Sequence, residues 1–279
     1  MPKQIRAVFL DKASLFPGDL NFSVLEEAAH WQWLDNAKPA DVLDDIADAQ
    51  ILVANKAPIK RGVIENSKHL KLICIAATGV NNVDLDAARD RDVLVCNVRA
   101  YATPSVVQHV FSLILALNQK LFSYKSSVID GDWSRSDYFC YFGSPINGLE
   151  GKTLGIIGYG ELGHAVAKVA ECFGMKVLIA NGHGKGSQQG RVDITTLLSE
   201  SDVVSLHCPL TESNHHMISV NEFSVMKNDA ILINAARGGL IDEQALLQAL
   251  KNGDIGAAAL DVLDQEPPAV DNPLIKYSA

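Results

Sequence analysis

Short apolar runs alternate with longer stretches of helical periodicity from one end of the chain to the other. The runs are IRAVFL (5–10), ILVAN (51–55), LKLICIA (70–76), VLVCN (93–97), TLGIIG (153–158), KVLIA (176–180), VVSLHC (203–208), AILINAA (230–236) and GAAALDVL (256–263). Each is short, often β-branched, and apolar at nearly every position. Strands read this way when helices cover both faces of a parallel sheet. The alternation predicts βαβ units and an α/β fold.

One segment breaks the alternation. TPSVVQHVFSLILALNQK (103–120) predicts a long apolar helix, with Pro104 in its first turn. After it comes GDWSRSDYFCYFGSPINGLEGKT (131–153), rich in Gly, Ser and aromatics. So long a stretch without a periodic pattern is unusual inside a compact domain. It reads equally as an arm that wraps a partner subunit and as a plain connection. The division that follows is one domain over 1–99, with its own parallel sheet, and a second over 100–279.

The strongest local signal is Gly158-Tyr-Gly160-Glu-Leu-Gly163. A strand precedes it, an amphipathic helix carrying Val166, Val169, Ala170 and Phe173 follows, and a second strand begins near Lys176. In that context the glycines predict dinucleotide binding. Gly158 permits the tight turn, Gly160 lets the backbone approach a pyrophosphate, and Gly163 lets helix and strand pack closely. The free N–H groups of Glu161, Leu162 and Gly163 then face the phosphates. Asn181 closes the second strand, where an acidic residue would grip the ribose and repel a 2′-phosphate. Asn cannot repel it, and His183 and Lys185 follow, so both NAD and NADP are allowed.

The formal charge of −9 over 279 residues argues against nucleic acid and against an acidic membrane surface as partners. Five cysteines, none paired as C-x-x-C, read as reduced and mostly buried thiols of a cytoplasmic protein. No apolar stretch is long enough to predict a bilayer span, and no metal is expected.

Further motifs fall in order: AATGVNNVDLDAA (76–88), HCPLT (207–211), NAARGGLIDEQAL (234–246) and ALDVLDQEPP (259–268). With the glycine turn, this set resembles the D-2-hydroxyacid dehydrogenases, and within them the glycerate dehydrogenase or hydroxypyruvate reductase group. The resemblance implies a flavodoxin-like substrate domain and a Rossmann-type dinucleotide-binding domain. It implies that Arg237 holds the substrate carboxylate and carbonyl, for which a planar guanidinium is suited. It implies that Glu266 partners a catalytic histidine and that Asp261 holds the nicotinamide carboxamide. The peptide N–H groups of Thr78, Gly79 and Val80 match the loop that cradles the substrate carboxylate. Cys208, Pro209, Ala235, Ala236 and Arg237 itself match the cofactor-lining positions.

The family places its catalytic histidine in a T-P-H segment beyond Glu266. This sequence reads EPPAVDNPLIKYSA and ends at Ala279. A further strand, its loops and a closing helix would need roughly 30–40 more residues. None of His109, His164, His207, His215 and His216 fits the acid/base role; His109 reads as packed or interfacial, and His215 and His216 as exposed loop residues. Three readings stay open: a truncated chain, an interrupted gene, and a dinucleotide-binding protein without full catalysis. The expected activity is reduction of a small 2-oxo acid such as hydroxypyruvate or glyoxylate by NAD(P)H. The alternative is a dinucleotide-binding module with little or no turnover. The apolar 104–120 helix and the aromatic 131–150 arm predict a homodimer.

Overall fold

The computed structural model describes residues 5–15, 19–38, 43–182, 184, 186 and 188–277. The chain divides into two compact units, Met1–Tyr101 and Ala102–Ala279.

In the first unit, strands β1 (Arg6–Phe9), β2 (His30–Trp33), β3 (Ile51–Ala54), β4 (Leu72–Ile75) and β5 (Leu94–Asn97) form one parallel sheet in the order β2-β1-β3-β4-β5. Helices α1 (Ser23–Ala28), α2 (Leu43–Ile46), α3 (Arg61–Asn66) and α4 (Leu85–Asp90) connect them. This is the flavodoxin-like order. Val8, Leu52, Ile73 and Ile75 from the strands pack with Ile46 and Ile64 from the helices in one core. The edge strand β2 is absent from the apolar pattern. Its sequence, HWQW, is held by ring stacking instead: Trp33 lies 5.9 Å from Phe9 and 4.9 Å from Trp31. The opposite edge, β5, leaves Leu94 69% exposed, so it is not covered on both faces as its composition suggests.

The second unit opens with α5 (Thr103–Asn118) and α6 (Leu121–Ile129). Strands β6 (Thr153–Ile157), β7 (Lys176–Ile179), β8 (Val203–Leu206), β9 (Ile231–Asn234) and β10 (Ala257–Leu260) form a second parallel sheet in the order β10-β9-β8-β6-β7. Beyond β7, Val192 makes a single parallel bridge to Ala180. Counting that bridge as a reduced strand, the order is the Rossmann 3-2-1-4-5-6. Helices α7 (Glu161–Cys172), α8 (Ile194–Glu200), α9 (Val220–Val225) and α10 (Glu243–Asn252) link the strands, and α11 (Pro273–Lys276) follows β10. The sheet is buried on both faces. Val204, Leu206 and Leu232 pack under Leu197, Phe223 and Leu246, while Leu154, Ile156 and Ile233 pack under Val110, Ile114 and Val166.

Three expectations need correction. The apolarity of α5 is used within its own unit: Val107, Val110, Phe111 and Ile114 are buried against this sheet. His109 on the same helix is exposed, with its Nε2 3.2 Å from Asp261 Oδ1, which overturns its packed reading and leaves the interfacial one standing. The five cysteines are free thiols, but none is fully buried and Cys96 and Cys172 are exposed. Cys96 sits on the open β5 edge, and Cys172 ends the solvent side of α7. Among the described residues, no helix is long and apolar enough to cross a membrane.

The segment between α6 and β6 carries no helix or strand. It folds on itself through side chains: Trp133 Nε1 donates to Phe139 O at 3.0 Å, and Ser136 Oγ donates to Cys140 O at 2.8 Å. Tyr124 OH on α6 donates to Ser144 O at 2.9 Å.

Candidate functional site

In an open α/β sheet, ligands bind beyond the carboxyl ends of the strands, where the strand order reverses. In the second unit that point lies between β6 and β8. There the chain turns at Gly158, with φ +100°. A Cβ on Gly158 would stand 2.4 Å from Cys208 N, and one on Gly163 would stand 2.1 Å from Gly158 O. Backbone packs so closely at these two positions that only glycine fits. Gly160 is different: a Cβ there meets nothing within 4 Å. The space over Gly160 is open, and Gly160 is the N-cap of α7. The first N–H groups of that helix, on Glu161, Leu162 and Gly163, have no intrahelical acceptor and point out of its N-terminus. Glu161 Oε1 accepts from Thr103 Oγ1, which ties the start of α7 to the start of α5. An open, donor-lined turn of this kind fits a dinucleotide pyrophosphate.

Asn181 follows β7. Its Oδ1 accepts from Gln188 N at 3.0 Å, and Gln188 Oε1 accepts from Gly182 N at 3.0 Å, so Asn181 closes its own loop. His183 and Lys185 lie outside the described residues. A cation that the spacing of the sequence does not reveal stands nearby: Arg191, with its guanidinium 5.9 Å from the Tyr159 ring and NH1 3.5 Å from Ala180 O. No local pattern points to it, because the 182–190 loop separates it from the glycine turn in sequence.

Cys208 and Pro209 leave β8 beside Gly158. Burial pushes the Cys208 thiol up, so it stays protonated. His207, one residue earlier, is held neutral: burial pushes it down to about 4. Its Nε2 lies 2.9 Å from Ser205 Oγ, and its Nδ1 is buried with no partner among the described residues. A histidine so held is neutral at neutral pH.

Beyond β9, the turn 234–237 is organised by Asn234, a buried polar residue at the strand end. Its Oδ1 accepts from Ala236 N at 3.1 Å and its Nδ2 donates to Arg237 O at 2.9 Å. Ala235 and Ala236 thus leave the strand in a fixed turn that presents Arg237. Arg237 NH1 donates to Ala236 O at 2.6 Å. None of the ion pairs among the described residues involves this guanidinium. Past β10, Asp261 N donates to Asn234 O at 2.9 Å, and the Asp261 carboxylate meets His109. Glu266 is exposed, and its Oε1 accepts from Leu263 N at 3.1 Å. The glycine turn, Cys208, Arg237 and Asp261 therefore all stand at the carboxyl-end edge of one sheet.

In the first unit, Thr78, Gly79 and Val80 follow β4. Asn97 Nδ2 donates to Thr78 O at 2.6 Å, and Val83 N donates to Val80 O at 3.0 Å. The loop's carbonyls are held, and among the described residues the N–H groups of 78–80 donate to no backbone acceptor. Such a row of amides suits a carboxylate. Asn97 and Asp11 carry no motif. Asp11 is buried and accepts from the N–H groups of Asn55, Lys56 and Ala57 at 2.8, 2.6 and 2.8 Å, which fixes the loop after β3.

The profile of the family "D-isomer specific 2-hydroxyacid dehydrogenase, NAD binding domain" matches residues 111–279. A glycerate dehydrogenase of Methylorubrum extorquens is 44% identical over 267 residues, covering 96% of this chain and 83% of that protein. A hydroxypyruvate reductase of Blautia hydrogenotrophica is 36% identical over 278 residues, covering 97% of this chain and 86% of its own length. Among solved structures, an acyclic imino acid reductase in complex with NADPH and D-Arg superposes with a TM-score of 0.86 at 30% identity, covering 98% of this chain and 86% of that one.

Proposed function

The chain belongs to the D-isomer-specific 2-hydroxyacid dehydrogenases, and from that membership we propose that it interconverts a small 2-oxo acid of the hydroxypyruvate or glyoxylate class and its D-2-hydroxy acid. The observation that carries the reading is Arg237. It is a guanidinium free of ion pairs among the described residues, fixed by Asn234 at the same sheet edge as the open glycine turn. Its planar fork suits a carboxylate, with an adjacent carbonyl within its field.

NAD(H) or NADP(H) would supply the hydride when bound, solvent water would supply the proton that the carbonyl oxygen takes, and the protein supplies position and field. Gly158, Gly160 and the N–H groups of Glu161, Leu162 and Gly163 would hold the pyrophosphate. Cys208, Pro209, Ala235 and Ala236 would line the path toward Asp261, which would take the carboxamide. In the first unit, the amides of Thr78, Gly79 and Val80 would suit a carboxylate. Glu266 has the family's position for orienting an imidazole. Arg191 would meet a 2′-phosphate, with Asn181 offering no repulsion.

The experiment is hydroxypyruvate-dependent loss of NADH or NADPH absorbance by the purified chain, with D-glycerate identified as product. Arg191→Ala is expected to raise KM for NADPH and leave that for NADH unchanged. Dinucleotide binding with no turnover of any small 2-oxo acid would leave only a binding module.

We also propose a homodimer, formed through α6 and the arm before β6. Phe122, Phe139 and Phe142 are 72%, 92% and 85% exposed there, large apolar side chains that a second copy of the chain would cover.

A further inference from the structure

We propose that His215, His216 and Asp264 form a binding site for one divalent transition-metal ion of the Zn²⁺ class. One ligand atom from each residue lies within 4.8 Å of the others, at the surface of the second unit. The sequence alone reads the two histidines as solvated loop residues. The structure brings a carboxylate to them from 48 positions further on in the chain, counting from His216 to Asp264.

Each ligand is held by its own backbone. His215 follows the 3-10 turn Glu212–Asn214, which a reciprocal cap between Thr211 and Asn214 closes. Asn214 is buried, and its Nδ2 donates to Pro209 O at 2.8 Å. His216 has φ +52°, a left-handed conformation uncommon for a residue with a side chain. Its N–H donates to Gly239 O at 2.8 Å, which holds it there. The two imidazole rings lie face to face, 3.8 Å between centroids. Asp264 N donates to Glu243 Oε1 at 2.7 Å, and Glu243 Oε2 accepts from Asn272 Nδ2 at 3.2 Å. These bonds fix the backbone that carries Asp264.

Gly239 forms the floor. A Cβ there would stand 3.0 Å from Leu210 Cδ2, 3.1 Å from Asp264 Oδ1 and 3.3 Å from His215 Cδ2, so a side chain at 239 would crowd the carboxylate and the ring. Tetrahedral coordination at bond lengths of about 2.0–2.2 Å sets ligand atoms about 3.4 Å apart. To reach it the two rings must unstack, so that their in-plane lone pairs converge on one ion from ligand atoms that now lie within 4.8 Å of one another. Two imidazoles and one carboxylate favour Zn²⁺, Ni²⁺ or Cu²⁺ over Mg²⁺ or Ca²⁺, whose preferred ligands are oxygens. Three protein ligands leave an open position to water. Bound metal would clamp the segment after β8 to the loop after β10, which carries Asp261 and Glu266, without occupying Arg237.

The test is Zn²⁺ titration of the full chain by calorimetry, with Co²⁺ absorption reporting the ligand set. One ion per chain is expected. His215→Asn, Asp264→Asn and His216→Asn should each weaken Zn²⁺ by tenfold or more. Asn tolerates the left-handed backbone at 216, and an unchanged Tm without metal certifies each fold. His69→Asn in the other unit should change nothing. No saturable binding by the native chain, native affinity in any of the three variants, or half an ion per chain from a bridge between two copies would each overturn the proposal.

Discussion

Gly158 and Gly160 stand two residues apart and tolerate a side chain very differently. At Gly158 a methyl group meets the Cys208 backbone on a chain held at positive φ, so Gly158→Ala is expected to cost about 3 kcal/mol of stability. At Gly160 the space is open, so Gly160→Val should leave Tm almost unchanged while filling the pyrophosphate's path. Dinucleotide affinity measured by calorimetry should fall at least tenfold in Gly160→Val. Native affinity in that variant would remove the glycine turn from the site. The three glycines were legible in the sequence because their spacing is local. Asn234 and Asn97 were not. Each is an ordinary polar residue at the end of an apolar run, and only the turn geometry shows that it positions Arg237 or Thr78. Arg191 was hidden for the same reason, since its approach to Tyr159 depends on how the loop after β7 closes.

At the scale of elements, apolar periodicity located the strands whose burial is complete and missed those stabilised otherwise. β2 alternates aromatic and polar residues and relies on Trp31 and Trp33 stacking. Val192 pairs through a single bridge, too short to leave a pattern. Periodicity located α5 but could not say what covers it, and its own sheet does. The exposed apolar surface lies instead on α6 and the arm. Replacing Phe139 and Phe142 by Ser should therefore convert a dimer to a monomer in light scattering, with the glycine turn intact. A double variant that keeps the native mass, or a native chain that is already monomeric at micromolar concentration, would count against this surface.

For the molecule as a whole, stability should depend on pH through His207. Its folded form resists protonation down to about 4, whereas the unfolded chain takes the proton near 6.5. The unfolded state then binds more protons between those values, so stability is full above about 6.5 and declines as pH falls toward 4. The loss amounts to about 3 kcal/mol for a shift of this size. Three aspartates act in a lower window. Hydrogen bonds from the Thr196 N–H to Asp193 and from the Ala245 N–H to Asp242 hold both carboxyls low. At Asp202 burial pushes upward, but the Thr153 N–H, Lys227 and Lys152 outweigh it. Their stabilisation is present above the ordinary value of 3.8 and is lost only below it. Denaturant midpoints of the native chain should thus decline between pH 6.5 and 4, and His207→Gln should flatten that decline. An equal decline in both proteins would assign the effect elsewhere.

We infer that the glycine turn and Arg237, at the carboxyl ends of one sheet, hold the dinucleotide and the substrate carboxylate of a 2-hydroxyacid dehydrogenase. The direct measurement is kcat/KM for hydroxypyruvate in the native chain, Arg237→Lys and Arg237→Ala, with NADH affinity measured alongside. A fall of about 10²–10³-fold is expected in Arg237→Ala. Only partial recovery is expected in Arg237→Lys, which keeps the charge and loses the fork. NADH affinity should barely change. Equal kcat/KM in all three proteins, or a loss explained entirely by weaker NADH binding, would contradict it.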